Sequence, residues 1–426
     1  MHSPLFSATA IILIVALLLG AFMFQEMVNE TTISRIEPQP GEVEIRWNDR
    51  EGVSERNLKN VAVASAEFGI ELLSNLSVSK EGNMLLSPLS IWLAMAMLYE
   101  GANGSTAEEI ARVMHFPENK SLLRENINWF LENFGNHTEN YTLKIANSLW
   151  VQEGFPVKEG YIEILKEFYY AYFQLLNFRG APEKARDIIN GWIENETNGK
   201  IKNFFSPESI TPATVAVLVN AIYFHGLWSY QFNESLTKKE PFYSSSGRIM
   251  VDMMHISEEF KYTEDNDTQI LEMPYKGGNF SMLIVLPKKG ALNISLKNLE
   301  KWRRELHLVK ANVSFPKFKL DEKFSVKEIL EGMGIREVFN PSADLSDMGP
   351  GGIFASDVFH ETYISVDEKG TEAAAVTGIP IYSAIPPPLP HVEFRVDHPF
   401  LFIIEDRSTG AIFFMGWVVE PAACSG

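Results

Sequence analysis

Asp367-Glu368-Lys369-Gly370-Thr371-Glu372-Ala373-Ala374-Ala375-Val376 joins a charged turn, a glycine and a run of small side chains, and a proline-studded stretch from Pro380 to Pro390 follows. Taken as a strand, the run alternates between two faces. Thr371, Ala373, Ala375 and Thr377 share one face, and Glu372, Ala374, Val376 and Gly378 share the other. The first face holds nothing bulky. Such a strand can slide between two existing strands without the overpacking that costs about 1–3 kcal/mol in a filled core. Glu-Ala-Ala-Ala is equally good helix-forming sequence, so on its own the segment leaves an ordinary helix start open.

The surrounding chain has 426 residues and a mass of 48.1 kDa, enough for a sizeable core in one large domain or several small ones. A net charge of -18 and a pI near 5.0, with no basic run, exclude a nucleic-acid partner, because phosphate binding needs clustered Lys and Arg. The single cysteine, Cys424, rules out a disulfide framework, a thiolate zinc site and a paired redox motif. Neither a metal nor a cofactor is expected. The chain has no Gly-x-Ser-x-Gly elbow, His-Glu-x-x-His helix, phosphate loop or Gly-x-Gly-x-x-Gly fingerprint, so the common hydrolase and nucleotide-enzyme classes are not indicated. His225, His360, His391 and His398 read as core or strand-end histidines rather than general bases.

From Ala8 to Phe24 the residues are almost wholly apolar and uncharged. The run is long for a signal-peptide core and slightly short for a spanning helix, so residues 1–25 read as a signal peptide or a retained membrane anchor. Glu26 and Glu30 follow it, which favours export of the remainder. Acceptor motifs of the Asn-X-Ser/Thr type recur at Asn29, Asn75, Asn103, Asn119, Asn136, Asn140, Asn195, Asn233, Asn266, Asn279, Asn293 and Asn312, against roughly three by chance. The expected location is outside the cell, secreted or anchored at the surface, with some of these sites glycosylated. Any membrane contact runs through the N-terminal apolar segment alone.

Residues 26–55 are polar, contain Pro38-Gln39-Pro40-Gly41 and read as a linker. Folding proper is expected over residues 56–423. Leu58, Val61, Ala64, Phe68 and Leu72 fall at helical spacing, a second helix is predicted over Pro88–Tyr99 with proline in its first turn, and a third opens at Ser105 with Glu108 completing a capping box. Thr214 to Phe224 has no polar face and reads as a strand covered on both sides, so Asn220 within it needs hydrogen-bond partners. Further strands are predicted at Thr268–Met273, Ser281–Leu286, Asn312–Leu320, Tyr363–Val366, Phe400–Glu405 and Ala411–Val418. Helices early and strands late, without regular alternation, indicate one α+β domain.

Several blocks in this chain resemble one family, the serpins, serine-protease inhibitors of the antitrypsin type. They are Asn83-Met84-Leu85-Leu86-Ser87-Pro88-Leu89-Ser90, Leu218-Val219-Asn220-Ala221-Ile222-Tyr223-Phe224-His225-Gly226-Leu227-Trp228, Phe315-Pro316-Lys317 and Ala343-Asp344-Leu345-Ser346. The opening segment, Asp397-His398-Pro399-Phe400-Leu401-Phe402 and Phe414-Met415-Gly416-Trp417 complete the series, so the likeness spans about Arg56 to Pro421. It implies the serpin fold of the α+β class, with three β-sheets, about nine helices and an exposed reactive loop over residues 370–390.

It also implies a suicide substrate. The target protease cleaves the loop and forms an acyl-enzyme, and the freed hinge then enters the main sheet and traps the enzyme. By the family's roles, Glu368, Gly370, Thr371, Glu372, Ala373, Ala374 and Ala375 form the hinge. Trp228, Lys317 and Glu368 form the breach where insertion starts, and Ser87, Ser90, Asn220 and His360 form the shutter where the strands part. The family's spacing puts the reactive bond at Ala384–Ile385, with Ser383 as the alternative. No Lys or Arg lies between Lys369 and Arg395, so trypsin-like targets, whose pocket wants a cation, are not expected. An exported subtilisin-like or elastase-like serine protease suits the small residue, and Tyr382 leaves a chymotrypsin-like enzyme open. Pro380 stands in the lower part of the segment that must insert, where proline removes a ladder donor. A monomer is the expected state. The rival reading is a non-inhibitory serpin serving as carrier, folding helper or storage protein.

Overall fold

The computed structural model describes residues 36–38, 45–48, 50–79, 82–134, 141–289, 291–371 and 389–421. Among these, eight α-helices are found: α1 (Glu55–Ser79), α2 (Pro88–Gly101), α3 (Gly104–Met114), α4 (Lys120–Phe134), α5 (Glu159–Tyr169), α6 (Pro182–Glu196), α7 (Leu296–Glu305) and α8 (Lys327–Met333). The strands are β1 (Ile36–Pro38), β2 (Met84–Leu86), β3 (Tyr141–Gln152), β4 (Tyr172–Leu176), β5 (Ala216–Leu227), β6 (Lys238–Ser244), β7 (Gly247–Glu264), β8 (Thr268–Pro274) and β9 (Phe280–Pro287), then β10 (Leu292–Ile294), β11 (His307–Pro316), β12 (Phe318–Ser325), β13 (Phe359–Val366), β14 (Gly370–Thr371), β15 (His391–Arg395), β16 (Phe400–Asp406) and β17 (Ile412–Val418). They form three sheets. A six-stranded sheet runs β12-β13-β14-β5-β3-β4, a nine-stranded sheet runs β15-β11-β7-β8-β9-β16-β17-β2 with β6 on β7, and β1 pairs with β10.

The strand read from Thr214 to Phe224 is the centre of the six-stranded sheet, and its two faces serve two separate cores. Ile222 and Phe224 join the large core shared with α1, α2 and the nine-stranded sheet. Val219 and Ala221 point the other way, into a second cluster with Trp150, Phe178, Ile189, Ile193 and Phe205 beneath α6. Helix α2 is apolar nearly all round and almost fully buried, as expected of a helix enclosed on every side. Pro88 opens it, and the Ser87 hydroxyl caps it by accepting from the Ser90 N–H at 3.2 Å. Its last turn carries Glu100, a fully buried carboxylate that Arg124 Nε and Nη2 reach at 2.9 and 2.7 Å and the Tyr169 hydroxyl reaches at 2.9 Å, tying α2, α4 and α5 together.

The structure corrects two local expectations. Helix α3 begins at Gly104 behind Asn103, which makes no side-chain cap. The Ser105 hydroxyl instead donates to Glu337 Oε2 at 2.6 Å, a distant partner that outcompetes the local capping box. The stretch Asn312–Leu320 is two strands in two sheets. Pro316, which has no N–H to give a ladder, ends β11, and the chain turns at Lys317 into β12. Phe315 and Phe318 both stay buried across the corner, so the hydrophobic pattern passes through it unbroken.

Within the stretch read as a linker, Ile36–Pro38 pair in parallel with Leu292–Ile294. The Trp47 indole N–H donates to the His115 carbonyl at 3.1 Å, and Ile45 and Trp47 pack against the large core. No helix among the described residues is long and apolar enough to cross a membrane.

Candidate functional site

The six-stranded sheet has a seam. β5 pairs with β3 from Ala216 to Gly226, and β13 pairs with β12 along its whole length. Among the described residues, β5 and β13 share no register pair with each other, and only Gly370–Thr371 joins them, at one end. Thr371 sits opposite Gly226 on one side and Val366 on the other.

Several contacts hold this end. Thr371 is 1% exposed, and its hydroxyl shares a 2.8 Å hydrogen bond with the buried Tyr275 hydroxyl. Burial pushes the Tyr275 phenol far above its usual range, so it stays protonated. The Tyr275 ring stacks on Trp228 with centroids 4.5 Å apart and planes at 14°. Trp228 in turn fixes the turn before the hinge, its backbone N–H donating to the Lys369 carbonyl at 2.9 Å and its indole N–H to the Asp367 carbonyl at 3.0 Å. Asp367 Oδ1 closes the same turn by accepting from the Lys369 and Gly370 N–H groups at 2.9 and 3.2 Å. Gly370 is required by space: a Cβ there would lie 2.1 Å from the Gly226 carbonyl oxygen.

Beside the turn, Glu368 lies 2.8 Å from Lys317 Nζ and accepts from the Thr237 hydroxyl at 2.7 Å. Burial raises its carboxyl, but the bonds from Lys317 and Thr237 outweigh it and bring the pKa below the ordinary carboxylate value. The corner at Lys317, unseen in the hydrophobic pattern, is what aims this ammonium at the hinge.

The shutter residues lie on both banks of the seam. His360 on β13 accepts from the Ser87 N–H at 3.0 Å through Nε2, which puts its proton on Nδ1. Burial pushes its pKa down to about 3, so the ring is neutral. Thr362, on the same face, donates to the Leu85 carbonyl at 3.1 Å. Across the seam, Asn220 Nδ2 donates to Asn147 Oδ1 at 2.7 Å, and Asn147 Nδ2 to the Tyr169 carbonyl at 2.7 Å. Asn220 Oδ1 is buried with no donor among the described residues. Ser87, Ser90 and His360 thus form one connected group and Asn220 stands apart from them. From Asn220 and His360 onward, away from the hinge, the seam borders a pocket of about 380 Å³ whose lining also includes Met95, Leu98, Leu218, Phe205, Val358 and Phe359.

Sequence reasoning missed Tyr275, Thr237 and Asn147. Tyr275 follows the end of a strand and Thr237 lies in a connecting segment, so neither carries a periodic signal. Asn147 was findable, because Asn220 in an apolar strand demands a polar neighbour on the adjoining one. Glu372, Ala373, Ala374, Ala375, Ser383, Ala384 and Ile385 lie outside the described residues. Among the described residues no cluster of His, Cys, Asp and Glu is arranged to hold a metal ion.

A family profile described as "Serpin (serine protease inhibitor)" matches residues 63–421. This chain belongs to the serpin family. An uncharacterized serpin-like protein of Methanosarcina mazei is 37% identical over 374 residues, covering 85% of this chain and 88% of its own length. Among solved structures, human thyroxine-binding globulin superposes with a TM-score of 0.77 at 28% identity, covering 86% of this serpin and all of that chain. A loop-inserted, cleaved ovalbumin mutant gives a TM-score of 0.75 at 30% identity, covering 85% of this serpin and all of that chain. The family is one of protease inhibitors rather than enzymes.

Proposed function

We propose that this serpin is an inhibitor of the suicide-substrate type. The observation that carries the reading is the seam itself: two strands held apart, each fully paired on its outer edge, with Gly370–Thr371 already seated at one end. Cleavage near Ala384–Ile385 frees the segment after Thr371 to continue down the seam in the same antiparallel register. That register brings Ala373 opposite Phe224 and Ile364, Ala375 opposite Ile222 and Thr362, and Thr377 opposite Asn220 and His360. All of these inward neighbours on β5 and β13 face the large core, where small entering side chains are needed.

Thr377 meets a particular demand at its position. A hydroxyl can donate to the unpartnered Asn220 Oδ1 while accepting from His360 Nδ1–H, completing the shutter only when the loop is in. The target is an exported subtilisin-like or elastase-like serine protease, matched to the small residue at Ala384, and the serpin acts outside the cell, secreted or anchored through residues 1–25, with glycans on its acceptor asparagines. A second reading has one observation behind it, the similarity to thyroxine-binding globulin, solved as a complex with thyroxine. The alternation of small inward residues weighs against a carrier, which has no need of an insertable hinge.

Mixing the full chain with a subtilisin-type protease tests the choice. A denaturant-resistant 1:1 adduct, together with a released fragment beginning at Ile385, is expected. Complete digestion without an adduct by subtilisin-, elastase- and chymotrypsin-like enzymes alike would remove the inhibitory reading.

A further inference from the structure

We infer that the outer edge of β4 is a docking edge for a second copy of this chain, the two β4 strands pairing antiparallel about a two-fold axis through Gln174. This goes beyond the inhibitory reading and does not depend on it. It replaces the expected monomer with a dimer. In the six-stranded sheet β4 pairs with β3 alone, so among the described residues one whole side of the strand has no ladder partner. The other edges of the two large sheets are guarded in the ways that stop further strands from adding. β12 exposes Asp321 and Lys323, β15 exposes Glu393 and Arg395, β6 carries Lys238, Lys239 and Pro241, and β2 is wholly buried. β4 has none of these guards. From Phe168 to Phe178 no residue is charged and none is proline, and Tyr170, Tyr172 and Leu175 are 51%, 44% and 47% exposed.

The strand suits a copy of itself. A two-fold axis normal to a sheet edge makes the paired strands antiparallel and continues the sheet. With the axis at Gln174, Leu175 falls opposite the partner's Phe173, and Tyr172 opposite the partner's Leu176. Alternation puts Phe173 and Leu175 on the α5 face, where the Lys166 ammonium lies 4.9 Å from the centre of the Phe173 ring. Tyr172, Gln174 and Leu176 share the α6 face, where the Tyr172 ring packs on Trp150 and Trp192 at 5.2 and 6.1 Å. Leu175 and Tyr172 thus each gain an apolar cross-strand neighbour, and the rings involved are already held in place. Charge selects the occupant. At a net charge of -18 two copies repel over most approaches, and along this uncharged run they can touch without setting like charges side by side. A basic partner would be drawn to the acidic surface instead. The contact leaves the seam free, because β3 and β5 stand between β4 and the hinge strand β14.

Sedimentation of the full chain at micromolar concentration tests this, in one detergent that masks the apolar run Ala8–Phe24 equally in every variant. Wild type should sediment as a dimer. Leu175→Lys, at an exposed position, should fold alike and self-associate at least roughly tenfold more weakly. It should also trap protease as wild type does, so the two readings stand or fall separately. Gln174→Lys and Gln174→Glu should each be monomeric, because like charges meet across the axis, and should form a mixed dimer when combined. In a Cys424→Ser background Gln174→Cys should oxidise to a disulfide-linked dimer, since opposed residues on antiparallel strands lie about 4.5–5.5 Å apart at Cα, within disulfide reach. Lys202→Cys, on the exposed surface elsewhere, should not. A monomeric wild type overturns the assignment. So does an oligomer that Leu175→Lys leaves intact and Gln174→Cys fails to lock.

Discussion

Thr371→Arg tests the hinge where its surroundings are known in most detail. The native residue is 1% exposed, bonded to Tyr275 and wedged between Gly226 and Val366. Filling the seam from Glu372 to Ile379 adds an N–H and a C=O per residue. At about 1 kcal/mol net per backbone bond this is on the order of 15 kcal/mol, comparable with the stability of a whole domain, about 5–15 kcal/mol. An unpaired guanidinium in the Thr371 seat opposes this with about 3–5 kcal/mol. Insertion therefore remains downhill overall. The intact variant keeps the guanidinium in water by giving up the Thr371 seat, so re-entering that seat becomes the first step of insertion, and at 1.4 kcal/mol per factor of ten it slows by roughly a thousandfold, while deacylation of the protease is untouched. The variant should be cleaved at the wild-type rate and release active protease, and its clipped form should gain heat resistance slowly. The assay titrates protease activity against serpin and follows the adduct on denaturing gels. An unchanged stoichiometry of trapping would refute the argument, since it would mean that the Thr371 seat is not on the path of insertion.

Two further outcomes follow from buried charge. His360 has its pKa depressed to about 3 by burial, against an ordinary 6.5, so the unfolded chain binds a proton that the folded chain refuses. Its contribution is present above pH 6.5 and lost as pH falls towards 3, and the melting temperature of His360→Gln should decline less steeply over that window than that of wild type. Arg124→Met leaves Glu100 buried without its cation and should cost about 3–5 kcal/mol in urea unfolding. Adding Glu100→Gln should recover most of the loss.

Much of the architecture was written in patterns of side-chain type. The apolar run in β5 revealed a strand covered on both faces, and Asn220 within it announced a polar partner, found in Asn147. Order along the chain revealed the α+β class. Patterns with a period cannot register a change of partner, which is why Phe315 and Phe318 carried one expected strand across the corner between two sheets. Local rules likewise cannot foresee a distant competitor, so the Ser105 hydroxyl went to Glu337. Tyr275, which holds the hinge threonine, lies far from it in sequence, and only the closed fold brings the two hydroxyls together.

The cluster beneath α6 draws its strand residues from one bank of the seam: Trp150 from β3, Leu176 from β4, and Val219 and Ala221 from β5, with none from β12 or β13. Helix α6 and those three strands thus form a raft packed on its own core. Three moorings cross to the opposite bank: the Lys323 ammonium on the carbonyls of Asn203 and Phe204, the ring of Phe205 against Phe359, and the Lys200 ammonium over the ring of Tyr363. Casting these off would free the α6 side of the raft, while Ile222 and Phe224 keep β5 moored to the large core.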